Sequence, residues 1–304
     1  MKSVTPQATH SRSAKPSRVV LTGSEYSRVV EFLADRFKHV SLQQWHDRCS
    51  AGDVYFEDLT TITPETAFVP GRVVYYHRWL PPERPIPFDI DVIYEDDEIV
   101  VVNKPPYMPV SVGGQYINET VSERLRHLGY SEIEPAHRLD RMTCGLLLLT
   151  KQASSRAYYQ GLFADRQITK RYSAVTQRSS PTDLPQSFEV RNRLKRVRGS
   201  VVVEPTEGEV NAISRFTPVA FDDHNVVWEV VIETGFMHQI RCHLALCGMP
   251  IVNDDFYPVL QPQKQDRYNS PLMLRSIGLE FKKNNSDQVY SFELPHFGLP
   301  LTSE

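Results

Sequence analysis

The chain has 304 residues, of which 40% are hydrophobic and 23% charged, and its formal net charge is −3 at pH 7. This length suits one large domain with a smaller one, and the composition is that of an ordinary globular protein. No apolar run approaches the roughly 20 residues that cross a bilayer. The polar, basic start of the chain also lacks the apolar core of a signal peptide, so we expect neither membrane insertion nor export.

The four cysteines are scattered, and none belongs to a Cys-x-x-Cys pair. Zinc sites have closer ligand spacing, and disulfide frameworks are typical of shorter secreted chains. We therefore expect reduced thiols, no metal and a cytoplasmic location. The cysteines are Cys49, Cys144, Cys242 and Cys247.

The first 17 residues are polar and are predicted to be a disordered leader, followed by a compact unit over 18–80. Apolar spacing and a turn at Gly52 predict two helices and then two strands in this unit. These elements are predicted over 27–37, 42–49, 54–57 and 72–77. The Pro-rich segment 81–87 is predicted to be a linker, because proline lacks the N–H that regular structure needs.

The remaining residues, 88–304, are predicted to form a second domain. Continuous apolar runs over 99–103 and 146–150 are typical of strands that are buried on both faces. Further helices are predicted over 155–165 and 237–247, and further strands over 172–176, 228–233, 274–281 and 289–294. Because no regular βαβ order is present, we predict an α+β fold with a mixed, largely antiparallel sheet and flanking helices.

A polar, charged loop over 136–145 leads directly into the apolar run 146–150. This order places Asp140 at the edge of a sheet, where a rigid scaffold holds a carboxylate in a cleft. From these residues alone, a salt bridge that tethers the loop is the favoured interpretation.

Four segments resemble, in the same order, the motifs of RluA-type pseudouridine synthases. Residues 137–151 resemble HRLDxxTSGLLLLAK, 170–174 resemble KxYxA, 234–244 resemble TGRxHQIRxHL and 248–257 resemble GxPIxGDxxYG. The resemblance extends loosely over 88–295. It implies that the domain carries the family's fold and converts uridine in RNA to pseudouridine without a cofactor or metal.

The resemblance also implies three catalytic residues. The reaction breaks the bond between ribose C1′ and uracil N1, turns the base, and joins C1′ to C5. Asp140 would begin it, either as a nucleophile or as a base that forms a glycal, and both routes stay open. Arg241 would keep the carboxylate ionised and oriented. Tyr172 would stack on the base, and its hydroxyl would help to remove the C5 proton.

Two further residues of these motifs are candidates for substrate binding. The target uridine must leave its stack before the glycosidic bond is accessible. Arg138 would fill the vacated space, or else would only contact a phosphate. His238, three residues before Arg241, is expected on the same helix face, as a packing and hydrogen-bonding residue rather than a catalyst.

The chain departs from the family pattern at three positions. Phe236 replaces the arginine of TGR, Cys144 replaces a serine, and Arg275 lies where the family often has histidine. None of these replaces a catalytic residue. They bear on RNA contacts and on the choice of substrate.

Two parts of the chain are candidates for RNA contact. The N-terminal unit resembles the small α-L RNA-binding domain, although its basic residues are few (Arg36, Lys38 and Arg48), and packing against the catalytic domain is the alternative role. A basic run places five cations in eight positions, which is enough to hold a phosphate backbone unless it is only a solvated loop. These cations are Arg191, Arg193, Lys195, Arg196 and Arg198.

Three classes of function compete. A non-catalytic RNA-binding or assembly protein is disfavoured by the joint presence of Asp140, Tyr172 and Arg241. A metal-dependent nucleotide deaminase would need His-x-Glu and Cys-x-x-Cys ligands that the sequence lacks. We therefore expect a synthase that acts as a monomer on RNA. Large-subunit ribosomal RNA is favoured by family analogy, with transfer RNA as the alternative.

Overall fold

The computed structural model describes residues 11–13, 15–178, 184–262 and 265–299. These residues divide into two compact units. The first comprises the described residues up to Pro85 together with Val112–Glu119, and the second comprises Ile86–Ser111 and the described residues from Thr120 onward. The boundary at Pro85 falls inside the Pro-rich segment. The predicted leader lies mostly outside the described residues, but Ser11–Arg12 forms a short strand.

The first unit packs two helices on a small antiparallel sheet of order β2-β4-β3. Trp45, which is fully buried, lies in its core with Leu33 and Val74. The strands are β1 (Ser11–Arg12), β2 (Ser17–Val20), β3 (Val54–Phe56), β4 (Val73–Tyr76) and β5 (Trp79–Leu80), and the helices are α1 (Val29–Arg36) and α2 (Leu42–Ser50). The helix α2 begins at a capping box, in which Ser41 Oγ accepts from the Gln44 N–H at 3.2 Å and the Gln44 side chain accepts from the Ser41 N–H at 2.8 Å.

The second unit is built on an eleven-stranded sheet with three helices, counted over the described residues. Its helices are α3 (Val121–His127), α4 (Ala153–Ala164) and α5 (Gln239–Leu246). Its strands are β6 (Asp91–Glu95), β7 (Ile99–Lys104), β8 (Glu134–Pro135), β9 (Cys144–Thr150), β10 (Thr169–Gln177), β11 (Phe188–Arg196), β12 (Val203–Thr206), β13 (Ala212–Phe221), β14 (Asn225–Ile232), β15 (Leu274–Lys282) and β16 (Val289–Glu293).

The main path of the sheet has the order β12-β11-β13-β14-β10-β15-β9-β7-β6, with β16 beside β15 and β8 beside β9. The pair β9–β15 is parallel, and the other pairs are antiparallel. This arrangement confirms the predicted α+β class and the mixed, largely antiparallel sheet. The strand β9 is buried along its whole length, as its apolar run predicts.

A glycine allows β9 and β15 to approach each other beside the loop that carries Asp140. Gly145 adopts a φ of +106°, and a Cβ at this position would lie 2.1 Å from the Ser276 carbonyl oxygen. Only glycine fits both the backbone conformation and the space. The parallel pairing of Gly145 with Ser276 therefore fixes the end of the loop against the centre of the sheet.

Candidate active site

The loop before β9 holds Asp140 at the surface of the sheet, with its side chain 26% exposed. The Thr143 N–H donates to the Asp140 carbonyl at 3.1 Å and closes a turn. Lys104, which is fully buried, fastens the loop from β7, because its Nζ donates to the carbonyls of Met108 at 2.7 Å and Arg141 at 3.1 Å. Burial lowers the pKa of Lys104 to about 7.

Arg241 extends from α5 toward the Asp140 carboxylate. Its Nη1 lies 3.5 Å from Asp140 Oδ2, while its Nε and Nη2 bind the two carboxylate oxygens of Asp254 at 2.8 and 2.6 Å. The side chain of Asp254 is fully buried and also accepts from the Phe256 N–H at 2.8 Å. This bidentate pair fixes the plane of the guanidinium and leaves Nη1 as the nitrogen that lies toward Asp140.

Tyr172 reaches the same place from β10, where a register shift between Arg171 and Tyr172 marks a bulge in the pairing with β15. Its ring lines a cleft of about 90 Å³ together with Asp140, Arg241 and Phe236, which we call the Asp140 cleft. Burial, with a further contribution from Asp140, raises the pKa of Tyr172. The phenol therefore stays protonated at neutral pH.

His238 lies outside the helix on which the sequence placed it. The helix α5 begins at Gln239, and His238 is its N-cap residue in the left-handed conformation with a φ of 54°. Its Nε2 lies 3.8 Å from Asp140 Oδ2, and its Nδ1 lies 3.3 Å from the Tyr257 hydroxyl. Burial lowers the pKa of His238, so the imidazole is neutral at neutral pH.

Arg138 lines the cleft and is exposed. Within the described part of the chain, no carboxylate pairs with it. Its guanidinium is therefore available at the entrance of the cleft.

The basic run does not form a solvated loop over most of its length. Arg191, Arg193, Lys195 and Arg196 belong to β11, and Arg198 follows that strand. Two of these cations are paired: Arg191 with Glu189 at 3.3 Å and Lys195 with Glu204 at 3.1 Å. In the first unit, Arg36 and Lys38 are exposed, but Arg48 is buried over the Trp45 ring, so it does not belong to a basic surface.

Comparisons with known proteins agree with this geometry. The sequence profile of the RNA pseudouridylate synthase family matches residues 98–246. An RNA pseudouridine synthase of Synechocystis sp. is 30% identical over 75% of this chain and 79% of its own length. The chain belongs to the RNA pseudouridine synthase family.

Two further relatives match this chain over about half of their own length. The mitochondrial tRNA pseudouridine(32) synthase of Saccharomyces cerevisiae is 30% identical over 76% of this chain and 50% of that protein. The ribosomal large subunit pseudouridine synthase C of Rickettsia felis is 34% identical over 55% of each chain. The structure of human RNA pseudouridylate synthase domain containing 4 covers 68% of this chain and 88% of its own, with a TM-score of 0.53 and 22% identity, which shows a shared fold.

As an RNA pseudouridine synthase, the chain is an isomerase. No role was predicted for Asp254, although the motif over 248–257 contains it. A sequence does not show which residue forms an ion pair with a given carboxylate. Lys104 was likewise not identified, since its three acceptors are backbone carbonyls, those of Pro105 and Met108 directly after β7 and that of Arg141 in the Asp140 loop.

The described residues contain neither a candidate metal site nor a helix that could span a membrane. In them, no three side chains of histidine, cysteine, aspartate or glutamate come together so as to hold a metal ion. None of their helices has both the length and the apolar character needed to span a bilayer.

Proposed function

We propose that this synthase uses Asp140 as the reacting carboxylate, oriented by Arg241, with Tyr172 against the target uracil. The observation that carries the proposal is the convergence of these side chains, from a loop, a helix and a strand, on one cleft. A carboxylate that is a quarter exposed in a cleft, with a fixed cation 3.5 Å away, is accessible to a substrate and held in one orientation.

The isomerisation needs no external reactant. On the nucleophilic route, Asp140 bonds to C1′ as the C1′–N1 bond breaks, and the uracil turns so that C5 bonds to C1′ and releases the carboxylate. On the glycal route, Asp140 removes the C2′ proton as the same bond breaks, and that proton returns to C2′ when C5 bonds to C1′. In both routes the C5 proton leaves and N1 gains a proton, so atoms and charge balance.

The raised pKa of Tyr172 favours a stacking and hydrogen-bonding role over that of an ionised base. Aromatic stacking on an unpaired base is worth about 1–3 kcal/mol. Arg138, at the entrance, would occupy the space that the flipped nucleotide leaves or contact the adjacent phosphate. His238 would support Asp140 from its neutral imidazole.

We further propose large-subunit ribosomal RNA as the substrate, with transfer RNA as the alternative, and a monomeric enzyme in the cytoplasm. The ribosomal choice rests on relatives such as the Rickettsia felis protein, and the yeast relative supports the alternative. All four cysteines are unpaired, which suits a reducing compartment. Mapping pseudouridines in ribosomal and transfer RNA from a strain that lacks the gene distinguishes the two substrates.

The first unit is proposed as an α-L-type RNA-binding domain. The support is its order of two helices followed by a strand, α1, α2 and β3, and the exposed Arg36 and Lys38. The basic run would add phosphate contacts that position the RNA without reading its sequence.

The proposal predicts that Asp140→Asn abolishes pseudouridine formation, because an amide neither attacks C1′ nor accepts a proton as a carboxylate does. We expect a loss of at least about 1,000-fold, measured as tritium released from RNA that carries [5-³H]uridine. Asp287→Asn, at a fully exposed carboxylate, is the control and should match the wild type. Retention of the wild-type rate by Asp140→Asn would show that Asp140 is not the reacting carboxylate, whereas a wild-type protein that releases no tritium would establish the alternative, a non-catalytic RNA-binding protein.

A further inference from the structure

The strand β11 presents its cations on two different faces. Arg191, Arg193 and Lys195 alternate along the exposed face. Between them, Asn192 and Leu194 point toward α5, where Asn192 Oδ1 lies 3.0 Å from His243 Nε2 and Leu194 shares a buried cluster with Cys242. The inner face of β11 therefore runs along the helix that supplies Arg241.

Arg196 belongs to this inner face. It shares the alternation of Asn192 and Leu194, and β11 has no register shift up to its end. Its partner across the strand pair is Val203, which is buried in the cluster with Cys242 and Tyr257. Directly opposed residues of a strand pair place their side chains on the same face. The neighbouring pair, Lys195 with Glu204, forms its ion pair on the other face.

Arg196 lies at the end of the helix where the active site is. The Val203 N–H donates to the Tyr257 hydroxyl at 2.8 Å, and that hydroxyl lies 3.3 Å from His238 Nδ1. His238 in turn lies beside Asp140. The positive charge of Arg196 is a small contribution that lowers the pKa of His238, after the larger ones from burial and from Arg241.

The guanidinium of Arg196 is exposed, and no described residue forms a hydrogen bond or ion pair with it. Phe236 lines the Asp140 cleft and packs against the same apolar cluster as Val203. In the motif that residues 234–244 resemble, this position carries an arginine. The segment before α5 therefore lacks one positive charge, and Arg196 provides one nearby from a different element.

We propose that Arg196 binds a phosphate of the RNA strand beside the target uridine and replaces the cation that Phe236 removes from the cleft. The inference rests on the proposed function of the Asp140 cleft. In this role Arg196 differs from Arg191, Arg193 and Lys195, which lie on the outer face of β11 and point away from α5. Phosphate is the ligand because an exposed, unpaired guanidinium offers paired donors to its oxygens.

The test compares Arg196→Gln with the double variant Arg196→Gln, Phe236→Arg. The probe is total RNA labelled with [5-³H]uridine and extracted from cells that lack the gene, and kcat and KM are measured over a range of KCl concentrations. We expect Arg196→Gln to lower kcat/KM roughly 10- to 100-fold, mainly through KM. The slope of log kcat/KM against log salt should become shallower by about one. In the double variant, Phe236→Arg should restore a large part of kcat/KM and of the salt slope.

Arg215→Gln is the charge-matched control, because Arg215 is an exposed arginine of the same sheet that pairs with Glu189 and Glu233. It should leave kcat/KM and the salt slope at wild-type values. Equal effects of Arg196→Gln and Arg215→Gln, or a double variant no better than Arg196→Gln alone, would overturn the inference. Loss of the proposed function would look different, since the wild-type protein would then release no tritium.

Discussion

At the scale of single residues, the position of Asp140 depends on a carboxylate that does not contact it. Arg241 is 2% exposed, and a buried guanidinium needs a fixed partner. Asp254 provides that partner on the side away from the cleft, and the rings of Phe256 and Tyr257 lie 4.7 and 5.6 Å from the guanidinium carbon. The two aspartates share one arginine, so Asp254 determines where its third nitrogen, Nη1, lies.

Asp254→Asn is therefore predicted to lower kcat roughly 100-fold with little change in KM, because a small displacement of Arg241 misorients the reacting carboxylate. It should also lower the free energy of unfolding by about 3–5 kcal/mol, since it removes the bidentate carboxylate that compensates a buried cation. The kinetics are measured at a temperature where denaturant curves show the variant folded.

The matched control is Asp255→Asn, at the next residue, whose carboxylate is 40% exposed and pairs with Arg267. It should change neither kcat nor stability by a measurable amount. A folded Asp254→Asn enzyme with the kcat of the wild type would show that Asp254 has no positioning role.

The sequence indicated Asp140, Tyr172 and Arg241 as candidates, because short motifs carry these residues. The structure brings all three to one cleft. It placed His238 wrongly on the helix, since helical spacing does not reveal that a residue caps a helix in the left-handed conformation. It also did not separate Arg196 from its neighbours. That distinction depends on which face of β11 lies against α5, and a run of charges contains no such information.

At the scale of elements, the loop of Asp140 is held by the close approach of β9 and β15. Both strands were predicted, β9 from its continuous apolar run. The strands β11, β12 and β13 were not predicted. In β11 every second residue is charged and exposed, and the positions on the face toward α5 include the polar Asn192 and Arg196, so its apolar signal is weak. The parallel pairing at Gly145 was not predicted either, because it joins segments that lie more than a hundred residues apart in the sequence.

Gly145→Ala is predicted to be severely destabilising. The added Cβ would lie 2.1 Å from a backbone oxygen of β15, which cannot move without separating two buried strands. We expect a loss of at least about 4 kcal/mol in the free energy of unfolding, measured by guanidinium denaturation, or failure to fold.

Gly129→Ala separates this steric effect from backbone strain. Gly129 has nearly the same φ, +104°, but apart from its chain neighbours no atom lies within 4 Å of the place that a Cβ would occupy. Its substitution should cost only about 1–2 kcal/mol. Equal losses at the two glycines would mean that conformation alone, rather than contact with β15, requires glycine at 145.

At the scale of the whole second unit, a buried hydrogen-bond network joins α5 to the sheet. The Gln239 amide donates to Ser214 Oγ at 2.9 Å, and Ser214 lies 3.0 Å from His243 Nδ1. His243 Nε2 lies 3.0 Å from Asn192 Oδ1. Because the amide oxygen of Asn192 only accepts, His243 donates from Nε2, and its Nδ1 accepts from the Ser214 hydroxyl. The network thus needs a neutral histidine.

Burial lowers the pKa of His243 to about 4, whereas an unfolded chain has a histidine pKa of about 6.5. Between these values the unfolded state binds a proton that the folded state does not. The contribution to stability is therefore fully present above about pH 6.5 and is lost as the pH falls toward 4. His137 follows the same direction, since burial lowers its pKa to about 3.

We predict that the stability advantage of the wild type over His243→Gln shrinks by about 3 kcal/mol between pH 7 and pH 4, because glutamine does not titrate. Urea unfolding of both proteins across this range measures the difference, from which the contribution of His137 cancels. His127→Gln, at an exposed position, is the control and should keep a constant difference from the wild type. Parallel curves for the wild type and His243→Gln would show that protonation of His243 does not oppose folding. A converging pair would show that the contact between α5 and β11, on which both Arg241 and Arg196 depend, weakens in acid.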